Sequence, residues 1–392
     1  MDQRSQPKPF TDRAFLSICL ATAAHFTIIG SLAPVLPRYV IGPIGGSPGS
    51  VGIVYGSLGV VAMLLRPQAG RYSDDKGRRP LLLGGILTLG GSVAAYAVAT
   101  NLPVLMSLRA VSGLGVACFM TAATASIYDL APTHRRAESL SYFSLALYGG
   151  LAVGPVLGEL MWENGGFGAV WLTGSGLAII AALAVVRIPE SRLESFSDNQ
   201  LGIVQRTGIV HRAGFGPGLI LFAALFGQGG LQAIGTLYSV EVGMSESRVI
   251  FVVFAVTLLL IRSFGARLPD RIGHRRSAAG ALALSALGLG LFATFATSGG
   301  LLTATVVFAC GQALAYPAIL SMSASRVPAA ERGALVGTVT AFLDLALAIG
   351  GIAMAQIADG SGFRAAFLTA AGVSLLGFLA LVKSRKVSRR PR

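Results

Sequence analysis

Apolar residues in this chain come in long blocks, not in alternation with polar ones. Twelve stretches of membrane-crossing length carry almost no charge, and polar residues collect between them. About 20 apolar residues suffice to cross the hydrocarbon core as a helix, which satisfies every backbone group internally. The pattern predicts spans at 13–40, 48–70, 80–100, 103–127, 138–162 and 166–187. A second series follows at 216–239, 248–268, 277–297, 301–324, 334–357 and 363–383. The run from Ala14 to Val40 has no small-residue cleavage site and is expected to be the first span, not a removed leader.

Most connections are short. The exception, 188–215, holds Glu190, Arg192, Glu194, Asp198, Arg206, His211 and Arg212. It divides the chain into an expected N-terminal six-helix bundle (1–187), a cytoplasmic linker (188–215) and a C-terminal six-helix bundle (216–392). The expected fold class is an all-α membrane protein.

Composition closes off other classes. Of the 392 residues 53% are hydrophobic and 12% charged, against about 25% charged in soluble domains. An aqueous enzyme, a disordered chain and a disulfide scaffold are excluded. Cys19, Cys118 and Cys310 lie in apolar stretches without ligand spacing; they read as packing residues, and no metal site is expected. The net charge of +14 is a matter of topology. Twenty-five Lys and Arg fall on one side of the twelve spans, while Arg38, Arg248 and Arg364 fall on the other. The positive-inside rule then places both termini in the cytoplasm, in an inner membrane, with the lipid bilayer as partner and no nucleic acid. Trp162 and Trp171 flank the outer turn between spans 5 and 6, where indoles are expected to anchor at the interface.

The chain repeats itself at an offset of 196 residues. Arg66, Arg71, Asp74, Gly77 and Arg79 fall on Arg262, Arg267, Asp270, Gly273 and Arg275; farther on, Pro132, Arg136 and Gly154 fall on Pro328, Arg332 and Gly350. Two halves of six spans each share one orientation, so the expected pseudo-two-fold axis runs along the membrane normal.

The strongest local signal lies after span 2, read as a loop: Gly70, Asp74, Gly77, Arg78 and Arg79 at fixed spacing. An acid near a helix end, a tight turn and paired arginines can form a clamp that holds one state of a moving bundle. Asp270, Gly273 and Arg275 repeat it. This resembles the signature Gly-x-x-x-Asp-x-x-Gly-Arg-Arg of the major facilitator superfamily, and the topology and duplication extend the resemblance over the whole chain. Asp75 stands where the family is usually basic, and Ala266 replaces the leading Gly of the second copy.

The resemblance implies a secondary active transporter working by alternating access around a central cavity. It also implies that Arg109, inside span 4, takes part in proton coupling, as an arginine there does in many members. The alternative is an arginine snorkelling to the outer interface. In span 5, Gly150, Gly154, Pro155 and Gly158 resemble the motif of drug:proton antiporters, with Glu159 in place of the usual last Gly. That tilts the expectation toward export.

Asp344, about eleven residues into span 11, is the best coupling candidate, because an ionisable group at that depth is functional by default. Glu159 and His25 follow; His25 either bonds a neighbouring helix or lines the cavity. Arg66 and Arg262 repeat near the inner ends of spans 2 and 8, with a role or with snorkelling. Gln228 and Gln232 in span 7, and Gln312 and Tyr316 in span 10, lie one turn apart on one helix face. They suit either a substrate cavity or interhelical hydrogen bonds. No nucleotide loop or catalytic constellation accompanies them, so the expectation is no enzyme and no cofactor, with a proton gradient as energy source. The expected function is proton-driven efflux of a small amphipathic molecule by a monomer. The alternatives are a proton symporter importing a sugar or other metabolite, and, in another class, a non-transporting receptor or membrane enzyme.

Overall fold

The computed structural model describes residues 13–131, 136–188, 211–264, 271–324, 327 and 332–387. Within them the chain is helix joined by short turns. The α-helices are α1 (Arg13–Ile41), α2 (Pro48–Lys76), α3 (Arg78–Ala95), α4 (Leu102–Leu130), α5 (Arg136–Val186) and α6 (Phe215–Glu241). They continue as α7 (Arg248–Phe264), α8 (His274–Thr294), α9 (Ser298–Ala324), α10 (Arg332–Ser361) and α11 (Phe363–Val387). Ten described helices are long and apolar enough to cross a membrane.

Two details relate these helices to the twelve predicted spans. Spans 5 and 6 both lie in α5, whose 51 residues are broken at Gly166 by a φ of 65°. Span 8 corresponds to α7, 17 residues long, next to residues outside the described set. The sequence repeat is legible in the backbone itself. Gly77 and Gly273, 196 residues apart, both have φ 89°, a left-handed turn that glycine adopts without penalty. Gly166 is matched at the same offset by Gly362, φ 85°, which separates α10 from α11.

The motif after span 2 is not a loop. Helix α2 runs on to Lys76, and Gly77 alone makes the turn into α3. Hydropathy ends where the helix leaves the apolar layer; backbone hydrogen bonding does not, and Arg, Lys and Gln are good helix formers. The linker expected at 188–215 falls mostly outside the described residues, as does Asp270.

The chain divides into two compact units, Met1–Leu32 with Val61–Ala99 and Ser107–Leu201, and Ala33–Val60 with Thr100–Met106 and Gly202–Arg392. In the first, α1 and α5 meet backbone to backbone. A Cβ on Gly154 would lie 2.7 Å from the Gly30 Cα, and one on Gly158 equally close to the Ser31 Cα. Thr27 and Ser31 donate their hydroxyls to carbonyls of their own helix, so this seam is held by close packing of small residues. In the second unit, α10 approaches α6 at the equivalent place, Gly350 against the Phe226 carbonyl. An aromatic core of Tyr238, Phe292, Phe308 and Phe367 fills this unit beside Met354. Leu172 and Leu376 are 76% and 67% exposed, the ordinary condition of a lipid-facing side chain.

The C-terminal end of α1 and the N-terminal part of α2 pack in the second unit. Positions 49, 52, 56 and 59 of α2, all glycine, press on Gln356, Ala355, Ile352 and Ala348 of α10. Ser47 donates to Asp359 Oδ2 at 2.7 Å, Gln356 to the Gly49 carbonyl at 3.3 Å, and Thr236 to the Ala33 carbonyl at 3.0 Å.

Candidate functional site

Of the ionisable side chains predicted inside the spans, Arg66 and Arg262 are half-buried and the four coupling candidates are buried. Arg109, Glu159, His25 and Asp344 keep 3%, 1%, 0% and 7% of their exposure. Burying a charge in an apolar medium is costly unless it is paired or neutralised. Arg109 does not snorkel. It lies at the start of the third turn of α4, where the chain comes back from the turn Tyr96–Val98 that ends α3, and its guanidinium donates to the Tyr96 hydroxyl at 3.5 Å. That hydroxyl is 2.7 Å from Ser112 Oγ, itself 2.7 Å from Ser92 Oγ.

His25 of α1 stacks on Phe119 of α4, ring centres 4.3 Å apart and 12° from parallel, with Phe26 edge-on. Among the described residues neither ring nitrogen has a hydrogen-bond partner. The helix-to-helix bond considered for His25 is therefore replaced by ring stacking. Trp171 corrects the anchoring expectation: it is 2% exposed and packs edge-on against Tyr96 at 5.4 Å. Position beside an outer turn suggested an interfacial indole, but the helix face turns it inward.

In the second unit, Gln312 donates to the Ala224 carbonyl at 2.7 Å and to Ser285 Oγ at 3.0 Å, tying α9 to α6 and α8. Tyr316 meets Thr340 at 3.3 Å, one turn before Asp344 on α10. Gln228 and Gln232 are half-buried on α6. Gly150, Gly154 and Gly158 lie on the seam with α1, and Pro155 is buried beside Gly30.

At the helix ends around Gly77 and Gly273 the signature arginines have definite partners. Arg78 pairs with Asp129 at the end of α4, Nε to Oδ2 3.3 Å, and donates to Ser73 of α2 at 2.9 Å. Arg79 donates to the carbonyl of Val186, the last residue of α5, where helix carbonyls lack intrahelical donors. Arg275, its counterpart in the repeat, donates to the carbonyl of Leu381 within α11. Gly70 and Asp74 lie in the last turns of α2; the Asp74 side chain is outside the described set. Sequence reasoning missed Asp129, Tyr96, Ser92 and Ser112. An acid closing span 4 just before a basic loop was the signal for Asp129. Serines and a tyrosine in apolar helices offer none. Among the described residues no group of three His, Cys, Asp or Glu could hold a metal.

The sequence profile of the Major Facilitator Superfamily matches residues 18–247 and again 217–392. This chain belongs to that superfamily. It is a multi-pass membrane transporter, not an enzyme. An uncharacterised MFS-type transporter of Salmonella typhimurium is 27% identical over 375 residues, 94% of this chain and 95% of the relative. The quinolone resistance protein NorA of Staphylococcus aureus is 28% identical over 216 residues, 55% of this chain and 54% of NorA. The crystal structure of the nucleoside transporter NupG shares the fold with a TM-score of 0.74 at 16% identity, covering 95% of this chain and 99% of NupG.

Proposed function

We propose that this transporter drives efflux of a small amphipathic molecule by proton antiport, as a monomer in the cytoplasmic membrane with both termini inside. The observation that carries the reading is the burial of Asp344, Glu159 and Arg109 within spans in a transporter whose sequence has no ATP-binding loop. One proton moving down 100 mV supplies about 2.3 kcal/mol. Asp344 is assigned the coupling proton, with Glu159, Arg109 and His25 as the other buried ionisable groups of the set. The halves 1–187 and 216–392 are the two bundles that alternate. The Asp74 turn, with Arg78 on Asp129, is the cytoplasmic clamp of one state. Export rather than import is supported by the Gly154-Pro155 seam of α5 and by the likeness to a protein named for quinolone resistance.

A second reading, proton symport of a hydrogen-bonding metabolite, is favoured by the half-buried Gln228 and Gln232. Everted vesicles separate the two, with ethidium and norfloxacin as probes for export and a nucleoside and a hexose for symport. Uncoupler-sensitive accumulation of ethidium or norfloxacin in energised vesicles is expected. Accumulation that survives the uncoupler, or confined to right-side-out vesicles fed the nucleoside or hexose, would overturn antiport.

A further inference from the structure

The role of Tyr96 is left open by the coupling reading. Its ring is 0% exposed, held edge-on by Trp171, and its hydroxyl stands between the Arg109 guanidinium and Ser112. The hydrogen bonds form a chain. Arg109 can only donate, so the Tyr96 oxygen accepts from it; in the Tyr96–Ser112 pair either hydroxyl can donate, and Ser112 also reaches the Leu108 carbonyl at 3.1 Å. Ser112 lies 2.7 Å from Ser92, and Ser92 donates to the Leu89 carbonyl at 2.8 Å. The chain starts at a fixed cation and ends on a backbone carbonyl, which takes up no proton. It is therefore unsuited to carrying protons through and well suited to holding one group still.

We infer that Tyr96 is a positioning residue for Arg109: the Ser92–Ser112 pair orients the phenol, and the phenol holds the guanidinium at its buried place in α4. The inference rests on the proposed coupling role of Arg109 and deepens it. A long flexible side chain otherwise has several rotamers, and inside a span each would present its charge to a different neighbour.

Trp171 supplies a probe that needs no substrate, because with Trp162→Phe it becomes the single tryptophan of the chain. Its emission maximum is compared in the full-length detergent-solubilised protein for Tyr96→Phe, Arg109→Gln and the double variant. Both single variants are expected to shift the maximum, and the double variant no further than Arg109→Gln alone. Additive shifts would show that Tyr96 acts on Trp171 independently of Arg109, and would overturn the inference.

Ethidium flux in everted vesicles supplies the functional reading. Tyr96→Phe is expected to lower the maximal uphill rate about tenfold, the worth of one hydrogen bond to a charged group, with the half-saturating concentration unchanged. Ser112→Ala is expected to follow it, and Ser112→Thr, which keeps the hydroxyl, to restore the rate. An Arg109→Gln protein with full uphill flux removes the coupling reading. Loss with Arg109→Gln but full flux with Tyr96→Phe and Ser112→Ala removes this inference alone.

Discussion

Gly154 stands so close to Gly30 that a Cβ added to it would lie 2.7 Å from the Gly30 Cα, and Gly350 meets Phe226 in the same way 196 residues later. One internal duplication has thus preserved a helix crossing and its residue register. Gly154→Ala is expected to force α1 and α5 apart at a cost of about 1–3 kcal/mol, the usual range for overpacking. Gly149, five residues earlier on α5, has open space where its Cβ would go. Gly149→Ala is expected to be neutral or slightly stabilising. Melting temperatures in detergent check this; equal values for the two variants would contradict the seam.

Gly77 and Gly273 make the turns after the signature helices with φ 89° and nothing within 4 Å of a Cβ. Substitution there tests backbone strain alone. The ψ values of Gly77 and Gly273, 165° and 135°, lie outside the left-handed helical well that Asn tolerates. Ala and Asn are therefore both expected to destabilise by roughly 1–3 kcal/mol at each position. Thermal unfolding with Ala and Asn at each site checks this, and a clear advantage of Asn would contradict it.

The pair Arg78 and Asp129 is expected to act as a unit. Arg78→Gln and Asp129→Asn should each slow ethidium export in vesicles, and the double variant should be no slower than the worse single one. The stability effect of this partly exposed pair is expected to stay within about 1 kcal/mol. Multiplying defects in the double variant would show two independent roles.

Asp344→Asn fixes the carboxyl in a neutral form at nearly unchanged volume. It is expected to abolish uphill, proton-driven flux and to leave downhill exchange of the same probe largely intact. Asp344→Glu should retain part of the uphill rate. An Asn variant that still concentrates a neutral substrate would pass the coupling role to Glu159.

The spans and the repeat were legible because both rest on properties that sequence displays: long apolar runs and coincident Gly, Asp and Arg. Arg109, Glu159 and Asp344 could be picked out because a charge inside an apolar run stands out. Tyr96 and Ser112 could not, since a hydroxyl in a helix more often bonds its own backbone, as Thr27 and Ser31 do here. Trp171 was misplaced because nearness to a turn along the chain does not tell which way a helix face points. The end of α2 was misread as loop because hydropathy marks the edge of the apolar layer and only Gly77 marks the edge of the helix.

The glycine edge of α2 against α10 has a mechanical consequence. Knobs that fill holes must be withdrawn one by one when helices part, and every rotamer must find its socket again on return. At residues 49, 52, 56 and 59 there are no knobs on the α2 side, only a smooth rail of backbone against Gln356, Ala355, Ile352 and Ala348. Parting such a contact would unseat no interlocked side chain from the α2 glycines, and the Ser47–Asp359 bond would be the directional link to break at its rim.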